Sequence, residues 1–96
     1  MISVFVTFSY TDDFNEAKLR QIAETAKTKF EGMPGLRSKV FTVRPEQRQA
    51  TNVYVWDSEE RALAFFSDEM LARVTGLYGV RPSIEFAGVA ALVENR

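Results

Sequence analysis

The chain has no cysteine and no histidine, and only three prolines and five glycines among its 96 residues. Without cysteine, neither a disulfide framework nor a thiolate metal site can form. Without histidine, the commonest metal ligand and the commonest general base near neutral pH are both missing. Haem held by a proximal histidine, zinc hydrolase chemistry and Ser-His-Asp catalysis are thereby excluded. Neither sign of charge dominates: 12 basic and 13 acidic residues leave a net charge of −1, which gives no electrostatic case for nucleic acid or an anionic membrane. No segment approaches the ~20 consecutive apolar residues of a membrane span. Met1-Ile2-Ser3-Val4-Phe5 alternates like a strand and lacks the basic region of a signal peptide, so a cytoplasmic protein is expected. The acidic pairs Asp12-Asp13 and Glu59-Glu60 lack a third carboxylate at metal spacing, so they read as helix caps and no metal is expected.

What is present is a single globular domain, residues 1–96, with 46% hydrophobic residues. A domain of this size buries roughly 60–65% of its unfolded surface, so a leftover apolar face points to oligomerisation. Residues 2–10 alternate, with Ile2, Val4, Val6, Phe8 and Tyr10 opposite Ser3, Phe5, Thr7 and Ser9. Leu19, Ile22, Ala23, Ala26 and Phe30 recur at helical spacing within residues 14–31, and Gly32-Met33-Pro34-Gly35 stops that helix. A strand over 36–44, a polar loop over 45–49 and a strand over 50–57 follow. Residues 58 to about 74 read as one helix, with Ala62, Leu63, Phe66 and Met70 on one side; Gly76 and Gly79 end it, and a last strand covers about 83–93.

The order β-α-β-β-α-β predicts an α+β, ferredoxin-like domain: a four-stranded antiparallel sheet with two helices on one face. The most informative stretch is the third strand and its exit. Asn52, Tyr54 and Trp56 share one face, and Thr51, Val53 and Val55 share the other. The valine face suits packing on helices, while the aromatic, hydrogen-bonding face suits the wall of a small-molecule cavity. Asp57 or Ser58 caps the next helix, with Glu60 placed for a capping box. The open sheet face would then carry some of Phe5, Phe41, Tyr54 and Trp56, and a second copy's sheet is its economical cover, giving a homodimer through the sheet faces.

Three segments carry a family resemblance. They are Gly35-Leu36-Arg37-Ser38-Lys39-Val40-Phe41, then residues 53–64 (Val53 to Ala64), then Ala72-Arg73 with Leu77-Tyr78-Gly79-Val80. The chain resembles the YdhR-like mono-oxygenases, within the dimeric α+β barrel group that includes the antibiotic-biosynthesis mono-oxygenases. That resemblance implies two facing sheets, with each subunit's pocket between the exposed sheet face and its helices. It further implies oxidation of phenolic or polycyclic aromatic compounds by O2 with no metal, flavin or haem. Some members of the wider group line the pocket with an asparagine four residues before a tryptophan, a spacing that Asn52 and Trp56 match. Where many members place a histidine on the second helix, this chain has Phe65-Phe66.

The expected activity is therefore cofactor-independent mono-oxygenation of a phenolic or related aromatic molecule. Asn52 and the Trp56 indole would donate hydrogen bonds to substrate oxygens, and Tyr54 would relay a proton. Phe5, Thr7, Lys39, Phe41 and Phe66 are the expected substrate-binding residues, with Lys39 or Arg37 favouring an anion. Tyr54 and Trp56 serve equally as interface packing, Asn52 as a strand-edge amide, and Lys39 and Arg37 as solvated strand residues. The rival function is a non-catalytic dimeric module that binds a small apolar molecule.

Overall fold

The computed structural model describes residues 1–95. Its elements are β1 (Ile2–Ser9), α1 (Glu16–Ala26), a 3₁₀ turn (Lys27–Phe30), β2 (Leu36–Arg44), a second 3₁₀ turn (Pro45–Gln47), β3 (Gln49–Trp56), α2 (Glu59–Phe65), α3 (Asp68–Tyr78) and β4 (Ser83–Gly88). The strands lie in the order β2-β3-β1-β4, antiparallel throughout. This is the ferredoxin-like arrangement expected, with three helices in place of two.

Register decides which side chains face the helices. Val6 lies opposite Asn52, Val4 opposite Tyr54, and Ile2 opposite Trp56. The face that holds Ile2, Val4, Val6 and Phe8, all buried, must therefore also hold Asn52, Tyr54 and Trp56. The expected division of β3 is reversed. The aromatic face packs beneath the helices, and Thr51, Val53 and Val55 look out from the open side with Phe5, Thr7 and Val40. The physical reason is β1: its four aliphatic and aromatic residues outweigh the valines of β3, and neighbouring strands cannot bury opposite faces.

Local chemistry accounts for the other departures. The first helix starts at Asn15, whose side-chain oxygen accepts from the Lys18 amide at 3.0 Å, so Asp12-Asp13 is not its cap. Asp13 instead takes a left-handed turn conformation, φ 56°. The helix tightens at Lys27 into its 3₁₀ turn, which swings Phe30 over the sheet. Of the two candidates, Ser58 caps α2, accepting from the Arg61 amide at 3.2 Å.

The long helix expected over residues 58–74 breaks at Phe66, and Ser67 caps a new one by accepting from the Met70 amide. Ser67-Asp68-Glu69 is a helix-start signature lying inside a helical pattern. The break leaves Leu63 exposed while Ala62 and Met70 stay buried. Gly76 does not end α3; Gly79 does, at φ 84°. The last strand stops at Gly88, opposite Ile2, short of the expected 93.

Candidate functional site

A groove of about 840 Å³ runs between α1 and β2. Leu19 and Ala23 of α1 form one wall, Lys39 and Phe41 of β2 the other, and Ala50 and Asn52 of β3 the floor. Phe30 and Tyr78 also line it. The volume lies within the range of small-molecule sites.

The floor is polar at one point. Asn52 is the buried polar residue of the core, and its Nδ2 donates to the Tyr78 hydroxyl at 3.2 Å. Mid-strand burial of an amide is unfavourable unless it is paired, and Tyr78 supplies that pairing. Tyr78 is itself fixed at three points. Its ring stacks on Phe8 with centroids 3.7 Å apart, its carbonyl accepts from the Tyr10 hydroxyl at 2.7 Å, and Gly79 turns the chain immediately after it. Burial raises the Tyr78 pKa, and the Asn52 hydrogen bond opposes that rise in part. Beyond that bond the pair, whose residues line the groove, carries a hydroxyl proton, a second amide N–H and an amide carbonyl.

Lys39 is the unusual residue of the wall. It stands opposite Tyr54 across the β2–β3 ladder, with its side chain on the helix face. Its Nζ lies 3.4 Å from the Phe30 ring centroid, 4.2 Å from that of Phe41 and 4.3 Å from that of Tyr54. Burial, reinforced by the Lys29 charge, pushes its pKa down to about 7. The three ring faces act in the opposite sense, since a π cloud favours the cation.

Behind this wall the helix-side face is a continuous aromatic cluster. Tyr54 and Trp56 lie nearly parallel with centroids 6.2 Å apart, and Phe65 and Phe66 close over them at 5.1 and 5.0 Å from Trp56 and Tyr54 respectively. Two adjacent residues of an unbroken helix would point about 100° apart. The break at Phe66 is what lets both rings enter the same cluster. The Trp56 Nε1 is buried there with no hydrogen-bond partner among the described residues. Burial and the nearby Tyr78 raise the Tyr54 hydroxyl well above the usual tyrosine range, which removes it as a proton acceptor near neutral pH.

The structure brings Asn52, Lys39 and Phe41 together in the groove, with Tyr54 touching it through the Lys39 amine. Trp56 and Phe66 sit in the cluster behind and do not line it. Phe5 and Thr7 are on the opposite side of the sheet, where the Thr7 hydroxyl meets that of Thr51 at 3.2 Å, so they share no cavity with Asn52. Arg37 reaches the groove but faces Asp57 at 3.5 Å and Glu94 at 3.6 Å. Arg81 is exposed and outside the lining. Sequence reasoning missed Tyr78 as a site residue and took Phe30 for ordinary core. A tyrosine one residue before a helix-ending glycine was the available signal for Tyr78. Phe30 carried none, because its place depends on the 3₁₀ turn.

Among the described residues there is no cluster of three or more metal-ligating side chains, and no helix is long and apolar enough to cross a membrane. The sheet and its helices share the fold of a structure from Deinococcus radiodurans described as a putative antibiotic biosynthesis monooxygenase, with a TM-score of 0.68 at 13% identity, covering 100% of this chain and 99% of that one. The family described as Putative mono-oxygenase ydhR matches residues 4–83, and the chain belongs to that family.

Solved structures agree in fold. NE2512 of Nitrosomonas europaea, a protein of unknown function, superposes with a TM-score of 0.75 at 14% identity, covering 99% of this chain and 94% of that one. The ActVA-Orf6 monooxygenase of Streptomyces coelicolor, in complex with nanaomycin D, gives 0.70 at 18% identity, covering 99% and 92%. SnoaB of Streptomyces nogalater, a cofactor-independent oxygenase, gives 0.64 at 14% identity, covering 98% and 97%. No curated protein matches the chain.

Proposed function

We propose that this protein is a cofactor-independent mono-oxygenase that oxidises a planar phenolic compound bound in the groove between α1 and β2. The observation that carries the reading is the buried Asn52–Tyr78 pair at the floor of a groove walled by aromatic rings. An electron-rich phenolate can pass one electron to O2 directly. The protein's part is then to orient the ring, bind its oxygens and exclude water. The Tyr78 hydroxyl and the Asn52 amide supply the donors, while Phe30 and Phe41 supply ring faces. Trp56 and Phe66 hold Tyr54 in place from behind. Membership of a mono-oxygenase family supports the reaction class. The nanaomycin D complex of ActVA-Orf6 supports a small-molecule ligand for this fold.

The test is oxygen uptake by metal-free protein with hydroquinones and anthrones, autoxidation subtracted. Asn52→Ala is expected to lower uptake about 100-fold, the effect of losing one preorganised donor to a developing oxyanion. It should leave the unfolding free energy from urea denaturation within about 1–2 kcal/mol of wild type, because Tyr78 remains anchored elsewhere. Absence of uptake combined with ligand-induced stabilisation would favour the binding module instead.

The open sheet face supports the second half of the proposal, a homodimer through the sheets. Phe5, Val53 and Val40 form one row across three strands, and Val40 is 54% exposed. A row of this kind is covered most simply by its own copy. Phe5 and Thr7 then act at the dimer interface. Val53→Lys, at the centre of that row, should yield a monomer by sedimentation with its fold intact; an unchanged dimer would place the interface elsewhere.

A further inference from the structure

We propose that Lys39 is the general base of the groove, taking the proton from a hydroxyl of a bound aromatic that carries two oxygen functions, and then holding the oxyanion as an ion pair. This rests on the reading above that the groove takes a phenol, and adds the group that ionises it. The step is a proton transfer alone. The O–H bond breaks, the N–H bond forms on Nζ, and no electrons leave the substrate until O2 arrives.

Elimination and geometry both lead to this residue. The chain has no histidine or cysteine, so the usual neutral-pH bases are missing. On α1 Arg20 is tied to Glu16, and Lys27 of the following 3₁₀ turn is tied to Glu24, each at 2.8 Å on the exposed surface. Glu31 stands exposed at the groove mouth. Arg37 faces two carboxylates, the Lys29 Nζ lies 5.9 Å from the Phe30 ring centroid, and Tyr54 and Tyr78 are disfavoured as anions by burial. Lys39 has no carboxylate within ion-pairing distance among the described residues. Its amine is buried in an apolar wall of the groove, and that desolvation outweighs the pull of the three ring faces on the cation and leaves a lone pair available at neutral pH.

Placement sets the substrate class. Lys39 pairs with Tyr54 and Phe41 pairs with Asn52 on the same sheet face, which makes Lys39 and Asn52 diagonal neighbours on adjacent strands. The backbones at such positions lie about 7–8 Å apart. Both residues line the groove with Tyr78, so the ligand class that engages the amine and the Asn52–Tyr78 pair together is an aromatic bearing two separated oxygen functions. Hydroquinones and hydroxyquinones have that form.

The probe is 2-hydroxyanthraquinone, whose anion absorbs at longer wavelength, titrated with full-length protein at the pH where the free dye is half ionised. Wild type is expected to bind the dye in its anionic colour with net proton uptake from a weakly buffered solution. Lys39→Arg, permanently charged, should bind the same anion with net proton release. Lys39→Met should bind only the neutral dye, with affinity for the anion down about tenfold or more. Anionic colour retained in Lys39→Met, or proton release by wild type, overturns the proposal while leaving the groove as the phenol site. Failure of wild type to bind overturns both. Lys39-dependent anion binding without oxygen uptake from hydroquinones upholds the base and removes the oxygenase reading.

Discussion

Trp56→Ala is expected to remove about 3–5 kcal/mol of stability, the range for truncating a large buried aromatic. Small domains have a total of about 5–15 kcal/mol, so the variant should be partly unfolded at 37 °C. Trp56 is 2% exposed, with Tyr54, Phe65 and Phe66 all packed against it. The helix break at Phe66 exists to close over this ring, so little is available to collapse into the void. Trp56→Phe is expected to behave quite differently. It loses part of the ring's packing but also deletes the Nε1 donor, which is buried without a partner among the described residues. An unpaired buried donor costs about 1–3 kcal/mol, comparable to the packing lost, so the net change should fall within about 1.5 kcal/mol. Urea denaturation of both variants measures this. A large loss in Trp56→Phe would mean that the indole N–H has a partner in solution, such as an ordered water.

The second large effect concerns Lys39. Unfolded, its amine keeps its proton to the ordinary lysine value of about 10.5; folded, it holds it only to about 7. Between those values the unfolded chain carries the extra proton, so stability rises with pH through that window. Below it both states are protonated, and the folded state carries the full penalty of desolvating an ammonium. Lys39→Met replaces that ammonium with an apolar group of similar length among Phe30, Phe41 and Tyr54. It should gain about 2–4 kcal/mol near pH 6, with the gain fading as pH approaches 10.5. The figure is held below the full shift because the three rings favour the cation. For a domain of this size that is a rise in Tm of order 10 °C. Thermal melts of both proteins from pH 5 to 10 check the slope. A flat difference would show that the rings keep Lys39 charged, and would count against its acting as a base.

These two residues also mark how far the sequence could be read. The order of elements along the chain followed from local signals that need no partner: alternation in residues 2–10, a glycine and proline stop at 32–35, and helical spacing at Leu19, Ile22 and Ala26. Asn52 was identifiable because a polar amide in a β pattern is conspicuous wherever it faces. Its meaning was not, because facing is a property of register. A strand has two sides, and only pairing with Val4 and Val6 told which side of β3 was inside. That single fact moved Tyr54 and Trp56 beneath the helices and left Phe5 and Thr7 across the sheet.

The sequence by itself determined the secondary structure in outline, the antiparallel ferredoxin-like layout and the exclusion of histidine and cysteine chemistry. Each of these depends on composition or on periodicity within one segment. The tertiary structure alone decided that Tyr78, 26 residues from Asn52, completes the polar floor. It likewise decided that rings from a 3₁₀ turn and two strands enclose the Lys39 amine. An amine's proton affinity is set by what surrounds it, and those surroundings come from residues far apart in the chain. Helical and strand periods therefore carry no trace of it.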